Sequence, residues 1–335
     1  MPELRIDPLS GHRTIVAGER SRRPGGEPRC DPPQAIDPEA DPFAEGHEDR
    51  TPPELYAVRP GGTPADSPGW RVRVVPNLYP ALEPAKDGES GEAPRAPSPR
   101  GSVDELFTSL PARGAHEVII NGPQSVLSLA ELPAEQVRAA LDTWRERMGA
   151  HSESAYVQLI VNERREAGAS LPHTHAQLYA LDFVPAAVAR ERERAGAYRT
   201  STMGQSLLGD MIAEEVRRGE RIVAIDEEAV LIAPFASRLP FQLMLAPRRP
   251  RPRFEDPGAT GASLLHEGLT RLARHLGSSP PLNMWVRTAP RGTEDFCWRI
   301  DIMPRLTHLA GLELSTELNL NIVAPEDAAA ALRRA

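Results

Sequence analysis

The sequence predicts an α+β protein built from two related antiparallel sheets, each with helices packed against it. Three observations carry that reading. Apolar residues alternate in short β-branched runs such as "AHEVIIN" and "AYVQLIVN", the period of a strand with one face in a core. Two other segments, 133–149 and 262–277, repeat apolar residues at intervals of four, three and four, the period of a helix face. Finally, the order strand–strand–helix–strand–strand occurs twice along the 335 residues, which points to an internal duplication.

Taken in order, "RTIVAG" is a short strand after a "DPLSG" turn. Residues 20–70 are rich in Pro, Gly and charge and read as long ordered loops. "WRVRVVPNLYPAL" (70–82) is a strand ending at a proline-bounded turn, and 83–102 is a low-complexity segment expected to be a mobile surface loop. Then come "AHEVIIN", a helix with Val137, Leu141, Trp144 and Met148 in line, "AYVQLIVN", a turn, and "HTHAQLYAL". Residues 185–219 are Arg/Glu-rich helical segments whose packing face is Leu207, Leu208, Met211, Ile212 and Val216. The second half supplies "EAVLIAPF", "PFQLMLAPR", a helix with Leu265, Leu269, Leu272 and Leu276 in line, "LNMWVRTA" and "CWRIDIM". Two halves are expected, 1–182 and 183–335.

Hydrophobic residues at 40% and charged residues at 26% are globular values. No apolar run approaches a membrane span, and "MPELRIDPLSGHR" lacks a basic-then-apolar signal pattern, so a soluble cytoplasmic protein with no membrane partner is expected. Cys30 and Cys297 lie far apart and suit a reducing compartment. A net charge of −8 argues against nucleic acid as a partner. Lys86 is the only lysine, so any phosphate must be held by arginine forks, backbone amides or neutral donors.

One stretch stands apart. "GASLPHTHAQLYAL" places His173, His175 and Gln177 on alternate positions after a Gly-Ala-Ser turn, so a strand would put all three on one face. Chemistry alone leaves three uses open: metal binding, a nucleophilic histidine, or a satisfied polar cluster. Asn162, Gly168 and Ser170 just upstream can cradle phosphate oxygens. The matching strand of the second half carries Arg299 and Asp301, so only the first half is equipped for histidine chemistry.

Together with "DPLSGHRTIVAGERSRRP", "DPFAEGHEDRTPPE", "VRVVPNLYPAL", "HEVIINGP" and "MPRLTHLAGLELST", that stretch resembles the galactose-1-phosphate uridylyltransferases, the transferase branch of the histidine-triad superfamily. The resemblance runs over nearly the whole chain in the family's order, and implies a duplicated histidine-triad fold. It implies a ping-pong nucleotidyl transfer in which His175 attacks the α-phosphate of a nucleoside diphosphate sugar. Sugar 1-phosphate then leaves a covalent nucleotidyl-histidine for a second acceptor. His173 would assist, a backbone carbonyl near it holding the other ring nitrogen of His175. Gln177 would hydrogen-bond the phosphoryl group, and because glutamine cannot supply a proton it favours transfer between phosphates over hydrolysis. By the same resemblance Arg20, Arg23, Asn77, Asn162, Gly168 and Ser170 would contact nucleotide and phosphates, and Glu313 of the second half would hold sugar hydroxyls. A homodimer is implied too.

The chain departs from the family at its structural zinc. The ligand positions read Asp41, Ala44, Ser125 and His173, so no zinc and no other cofactor is expected; Cys30, His47 and His116 have no metal-site spacing. The second metal site of some members is also missing, its strand reading "WRIDIMP". Thr307 and Leu312 replace a lysine and a tyrosine of the sugar site, which leaves the hexose open. ADP-sugar or dinucleoside polyphosphate phosphorolysis, nucleotide hydrolysis, and a degenerate nucleotide-binding protein remain as alternatives.

Overall fold

A computed structural model describes residues 1–22, 28, 30–84, 107 and 109–335. Arg23 and nearly all of the low-complexity segment therefore lie outside the described residues. The described residues form thirteen strands and six helices. The two predicted sheets are joined edge to edge into one of ten strands, ordered β3-β4-β5-β7-β6-β11-β12-β10-β9-β8. The first half supplies β3 (Tyr56–Val58), β4 (Val72–Pro76), β5 (Gly114–Ile120), β6 (Tyr156–Glu163) and β7 (His175–Leu181). The second repeats the order with β8 (Ile222–Ile225), β9 (Ala229–Ile232), β10 (Leu243–Pro247), β11 (Leu282–Arg287) and β12 (Arg299–Pro304). All neighbours are antiparallel, and the seam is the β6–β11 pair, with Asn162 opposite Asn283 and Ile160 opposite Trp285.

Period-two alternation divides this sheet into a core face and a site face. Helices α1 (Ala134–Ala150) and α4 (Ala262–Leu276) cover the core face. Val137, Leu141, Trp144 and Met148 are fully buried there, as are Leu265 and Leu272, so both predicted stripes face the sheet. Gly268 lets α4 approach closely: a Cβ there would collide with the Leu231 side chain. The Trp144 indole N–H donates to Asn121 (3.0 Å), and truncating so buried a ring costs about 3–5 kcal/mol.

On the site face the row Val118–Gln177–Ile160–Trp285–Asp301–Met244 crosses both halves. Over the second half lie α2 (Ala186–Ser201) and α3 (Leu207–Arg218). The α3 helix is capped by the Ser206 hydroxyl and by Gly219 in the left-handed region, and its Leu208 and Ile212 bury against Val230, Ile232 and Met244. Over the first half the proline-rich loops bring Phe43 and Trp70 onto Val75, Val118 and Ile120. A small second sheet joins β1 (Glu3–Ile6), β2 (Arg13–Val16) and β13 (Asn319–Asn321). The chain's first strands thus pair with one of its last, followed by α6 (Pro325–Arg334); α5 (Gly311–Thr316) precedes β13. The short strands β1, β3, β8 and β13 carry too few alternating positions to be read from sequence.

Candidate active site

The strand β7 begins at His175, not His173. His173 lies in the bend before it, yet both rings rest against Phe43, at 6.1 and 5.2 Å between centroids. The expected sharing of one side therefore holds, but His173 reaches it from a bend. Within the strand His175, Gln177 and Tyr179 alternate onto the site face.

The Nδ1 atom of His175 lies 2.7 Å from the His173 carbonyl oxygen. A carbonyl only accepts, so Nδ1 carries the proton and Nε2 keeps its lone pair. His175 is only 4% exposed, and burial above all pushes its pKa below the usual imidazole value, with the His173 ring adding to it. The ring is neutral, in a fixed tautomer, with the Nε2 lone pair unengaged among the described residues.

Gln177 is fixed by its oxygen. The Tyr179 hydroxyl donates to Oε1 at 2.9 Å, and His116 Nε2 approaches it at 3.1 Å. His116 Nδ1 accepts from the Ala81 amide (3.2 Å), so Nε2 bears the proton and donates to Gln177. Burial lowers the His116 pKa despite the Gln177 bond, which keeps that donor pattern. With the oxygen occupied twice, the Gln177 amide nitrogen is left to donate elsewhere. The Tyr79 amide donates to Asn77 Oδ1, which turns the Asn77 amide nitrogen toward His116 Nε2 (3.1 Å). With the proton on Nε2 the two are donors facing each other, so Asn77 stands beside this chain without a hydrogen bond to it.

Asn162 Oδ1 accepts from Asn283 Nδ2 (2.8 Å), which also donates to the Ala167 carbonyl. Val161 pairs with Ala176, so Asn162 sits beside His175 on the neighbouring strand. Gly168 adopts φ +92° at the end of the short 3₁₀ turn Arg165–Ala167, a left-handed conformation that favours glycine. That turn is anchored by Arg164, itself at φ +69°, whose guanidinium holds the carbonyls of Asp31 and Ser279. Ser170 lines a separate depression with Arg165 and Pro172. Arg20, on the 3₁₀ turn Gly18–Arg22, is exposed. Glu313 accepts from the Ala310 amide at the start of α5 (2.9 Å). No contact among the described residues joins Arg20, Ser170 or Glu313 to His175.

The four zinc-ligand positions form something else. Asp41 Oδ2 accepts from Ser125 Oγ (2.6 Å) and meets His173 Nδ1 (2.7 Å), while His173 Nε2 donates to the Gly122 carbonyl (2.8 Å). Burial opposes ionisation of Asp41, but the bonds from His173 and Ser125 outweigh it and hold its carboxyl below the usual range. Both His173 nitrogens therefore face oxygens, and the ring bridges the Asp41 carboxylate and the Gly122 carbonyl. Ala44 provides no ligand, and this donor set does not fit tetrahedral zinc. No group of three His, Cys, Asp or Glu placed to hold a metal occurs among the described residues. Cys30 lies instead beside Arg164 and Ser278. The 41–66 loop is pinned further by Trp70 on Glu48 (2.7 Å) and by buried Arg73 on Glu54, Asp66 and Thr51.

In the second half Arg299 occupies the place of a histidine. It pairs with Glu191 (3.0 Å) and both oxygens of Asp301 (3.2 and 3.0 Å). Burial opposes its charge, but Asp301 and Glu191 outweigh that and hold it protonated.

Sequence reasoning missed His116, Tyr179 and Asn283, because their roles depend on cross-strand register. No helix among the described residues is long and apolar enough to cross a membrane.

Residues 126–334 match the model of a domain of unknown function, DUF4921. The chain is 29% identical to the ADP-glucose phosphorylase of Arabidopsis thaliana over 99% of this chain and 92% of that one. It is 30% identical to a probable galactose-1-phosphate uridylyltransferase of Drosophila melanogaster over 88% and 80%. The crystal structure of the Arabidopsis ADP-glucose phosphorylase with bound ADP-glucose superposes with a TM-score of 0.78 at 26% identity, covering 100% and 99%. Residues 1–185 match the N-terminal domain of galactose-1-phosphate uridyl transferase, and with the duplicated sheet and the His175 strand this places the chain in the galactose-1-phosphate uridylyltransferase family.

Proposed function

We propose that the protein is a nucleotidyltransferase acting through a covalent nucleotidyl-His175. The observation that carries the reading is the Nδ1–H bond from His175 to the His173 carbonyl. In the first half-reaction Nε2 bonds to the α-phosphorus of a nucleoside diphosphate sugar, and the bond from that phosphorus to the bridging oxygen breaks. The electron pair leaves with sugar 1-phosphate. In the second half-reaction a phosphate oxygen of the acceptor attacks the same phosphorus and the imidazole departs. The ring becomes cationic when the P–N bond forms, which strengthens its donation to the carbonyl without a proton moving. The free amide nitrogens of Gln177 and Asn162 donate to the phosphoryl oxygens, where one well-placed donor is worth about 10²–10³ in rate. Gly168, Ser170, Arg20, Arg23 and Asn77 are the further candidates for nucleotide and phosphate contacts, and Glu313 for the sugar.

The donor is a UDP-hexose in the first reading, with a hexose 1-phosphate as acceptor. A second reading takes an ADP-sugar with inorganic phosphate as acceptor, favoured by the near full-length similarity to the Arabidopsis ADP-glucose phosphorylase. Incubation with UDP-glucose or ADP-glucose, followed by intact mass measurement without acid, tests both. A uridylyl or adenylyl increment, absent from His175→Ala, names the base. Binding of either donor with no increment would leave a nucleotide-binding protein in place of the enzyme.

A further inference from the structure

The seam of the site face holds positive charge that the described residues do not neutralise. Arg238, in the turn before β10, is mostly buried. Its guanidinium touches the Met303 sulfur at 3.1 Å and lies over Trp285, 5.9 Å from the ring centroid. Among the described residues it makes no salt bridge. Burial lowers its pKa, and Arg287 and Arg299 oppose its charge while Asp301 and Asp7 favour it. Arg305, just past β12, has no side-chain hydrogen bond or ion pair among the described residues. Both arginines line one cavity of about 360 Å³. Its other polar walls are the amides of Asn162, Asn283 and Asn319, and its floor includes Trp285, whose buried indole N–H has no acceptor. No carboxylate lines this cavity.

Placement gives the cavity its meaning. Asn162 is beside His175, Asn283 pairs with Asn162, and Met303 pairs with Asn283. His175 and the Arg238 contact are thus three strands apart, about 14 Å along the sheet. Arg238 is mostly buried, and its carboxylate neighbour Asp301 is already paired with Arg299. The cavity it shares with the unpaired Arg305 offers no carboxylate, so an anion entering there would offset the cost of its burial. We propose that Arg238 and Arg305 form a second anion subsite for the half of the substrate that is exchanged. That half carries, besides the phosphate that meets His175, a second phosphate or a carboxylate on the far side of its sugar ring. The inference rests on the transfer reading above and names its substrate class. Thr307 and Leu312, which replace two sugar contacts of the family, agree with a changed sugar.

Calorimetric titration of the free protein tests the subsite without requiring turnover. The ligands are glucose 1-phosphate, glucose 1,6-bisphosphate and glucuronic acid 1-phosphate; the proteins are wild type, Arg238→Gln and Arg305→Gln. At least one doubly anionic ligand binds about tenfold or more tighter than glucose 1-phosphate, and each substitution removes that advantage. The tighter of the two distinguishes phosphate from carboxylate. Equal affinity for all three ligands overturns the proposal, as does an advantage that survives both substitutions. So does an equal loss of glucose 1-phosphate affinity, which would assign the arginines to the reacting phosphate. The more exposed Arg305 keeps the test available should Arg238→Gln fold poorly. Nucleotide loading of His175, read by intact mass, judges the transfer reading separately.

Discussion

His175 donates its Nδ1 proton to the backbone carbonyl of His173, the residue two before it. The His175 ring is therefore oriented by the same bend whose side chain is locked to Asp41 and Gly122. Anything that moves the bend turns the ring.

Acid should spare the neutral His175 ring longer than a free imidazole. Burial lowers the His175 pKa, so the neutral form persists as pH falls through the free value of about 6.5. The rate of adduct formation, measured by rapid quench between pH 5 and 8, is expected to stay flat through pH 6.5 and fall only below it. An acid limb centred at or above 6.5 would contradict the buried setting.

Gln177→Ala is expected to slow single-turnover transfer by about 10²-fold, through loss of one phosphoryl donor. His116→Ala leaves that amide in place but frees it to rotate, so about a tenfold loss in kcat with little change in KM is expected. Equal rates for wild type and His116→Ala would show that the chain from His116 to Gln177 orients nothing.

The Asp41–His173 pair has no exposed side-chain surface. Asp41→Ala leaves a fully buried His173 nitrogen without its partner, and breaking such a buried pair costs about 3–5 kcal/mol. Urea denaturation measures it, and Asp41→Asn is expected to lie between. Because Asp41, Ser125 and His173 are satisfied by one another, a strong chelator should leave the wild-type midpoint unchanged. A midpoint that drops with chelator and recovers with zinc would reveal a metal site.

Behind the active strand, Glu163 accepts from Ser128, Leu129 and Thr174. Burial raises its pKa to about 7, against those hydrogen bonds. The folded state thus keeps a proton that the unfolded chain releases near pH 4.5. Stability from this group is complete below that pH and is lost as pH rises to about 7, a change of about 3 kcal/mol. Glu163→Gln mimics the protonated form and should flatten the stability profile between pH 5 and 8. Parallel profiles for variant and wild type would refute the shift.

Much of this was legible in the sequence. The stripes of α1 and α4 and the alternation in β5, β6, β7, β11 and β12 are dense periodic signals, and each fell on the face predicted. The duplication was legible in the element order, but the fusion at β6 and β11 was not, since no local pattern encodes which edges meet. That His173, His175 and Gln177 of "GASLPHTHAQ" share one side was legible from their spacing. His116 and Asn283 were not, because each matters only through the strand beside it. The network replacing the zinc ligands was visible as four altered positions, yet their mutual bonding needed the fold of the 41–66 loop.

The β6–β11 seam binds segments more than a hundred residues apart in the chain. During synthesis the first half emerges with the His175 strand paired, but with the Leu159–Glu163 edge bare until β11 arrives. An unpaired edge is a template for self-association. A fragment ending near residue 182 should therefore aggregate, and the chain's most vulnerable interval is the time a ribosome takes to reach residue 287.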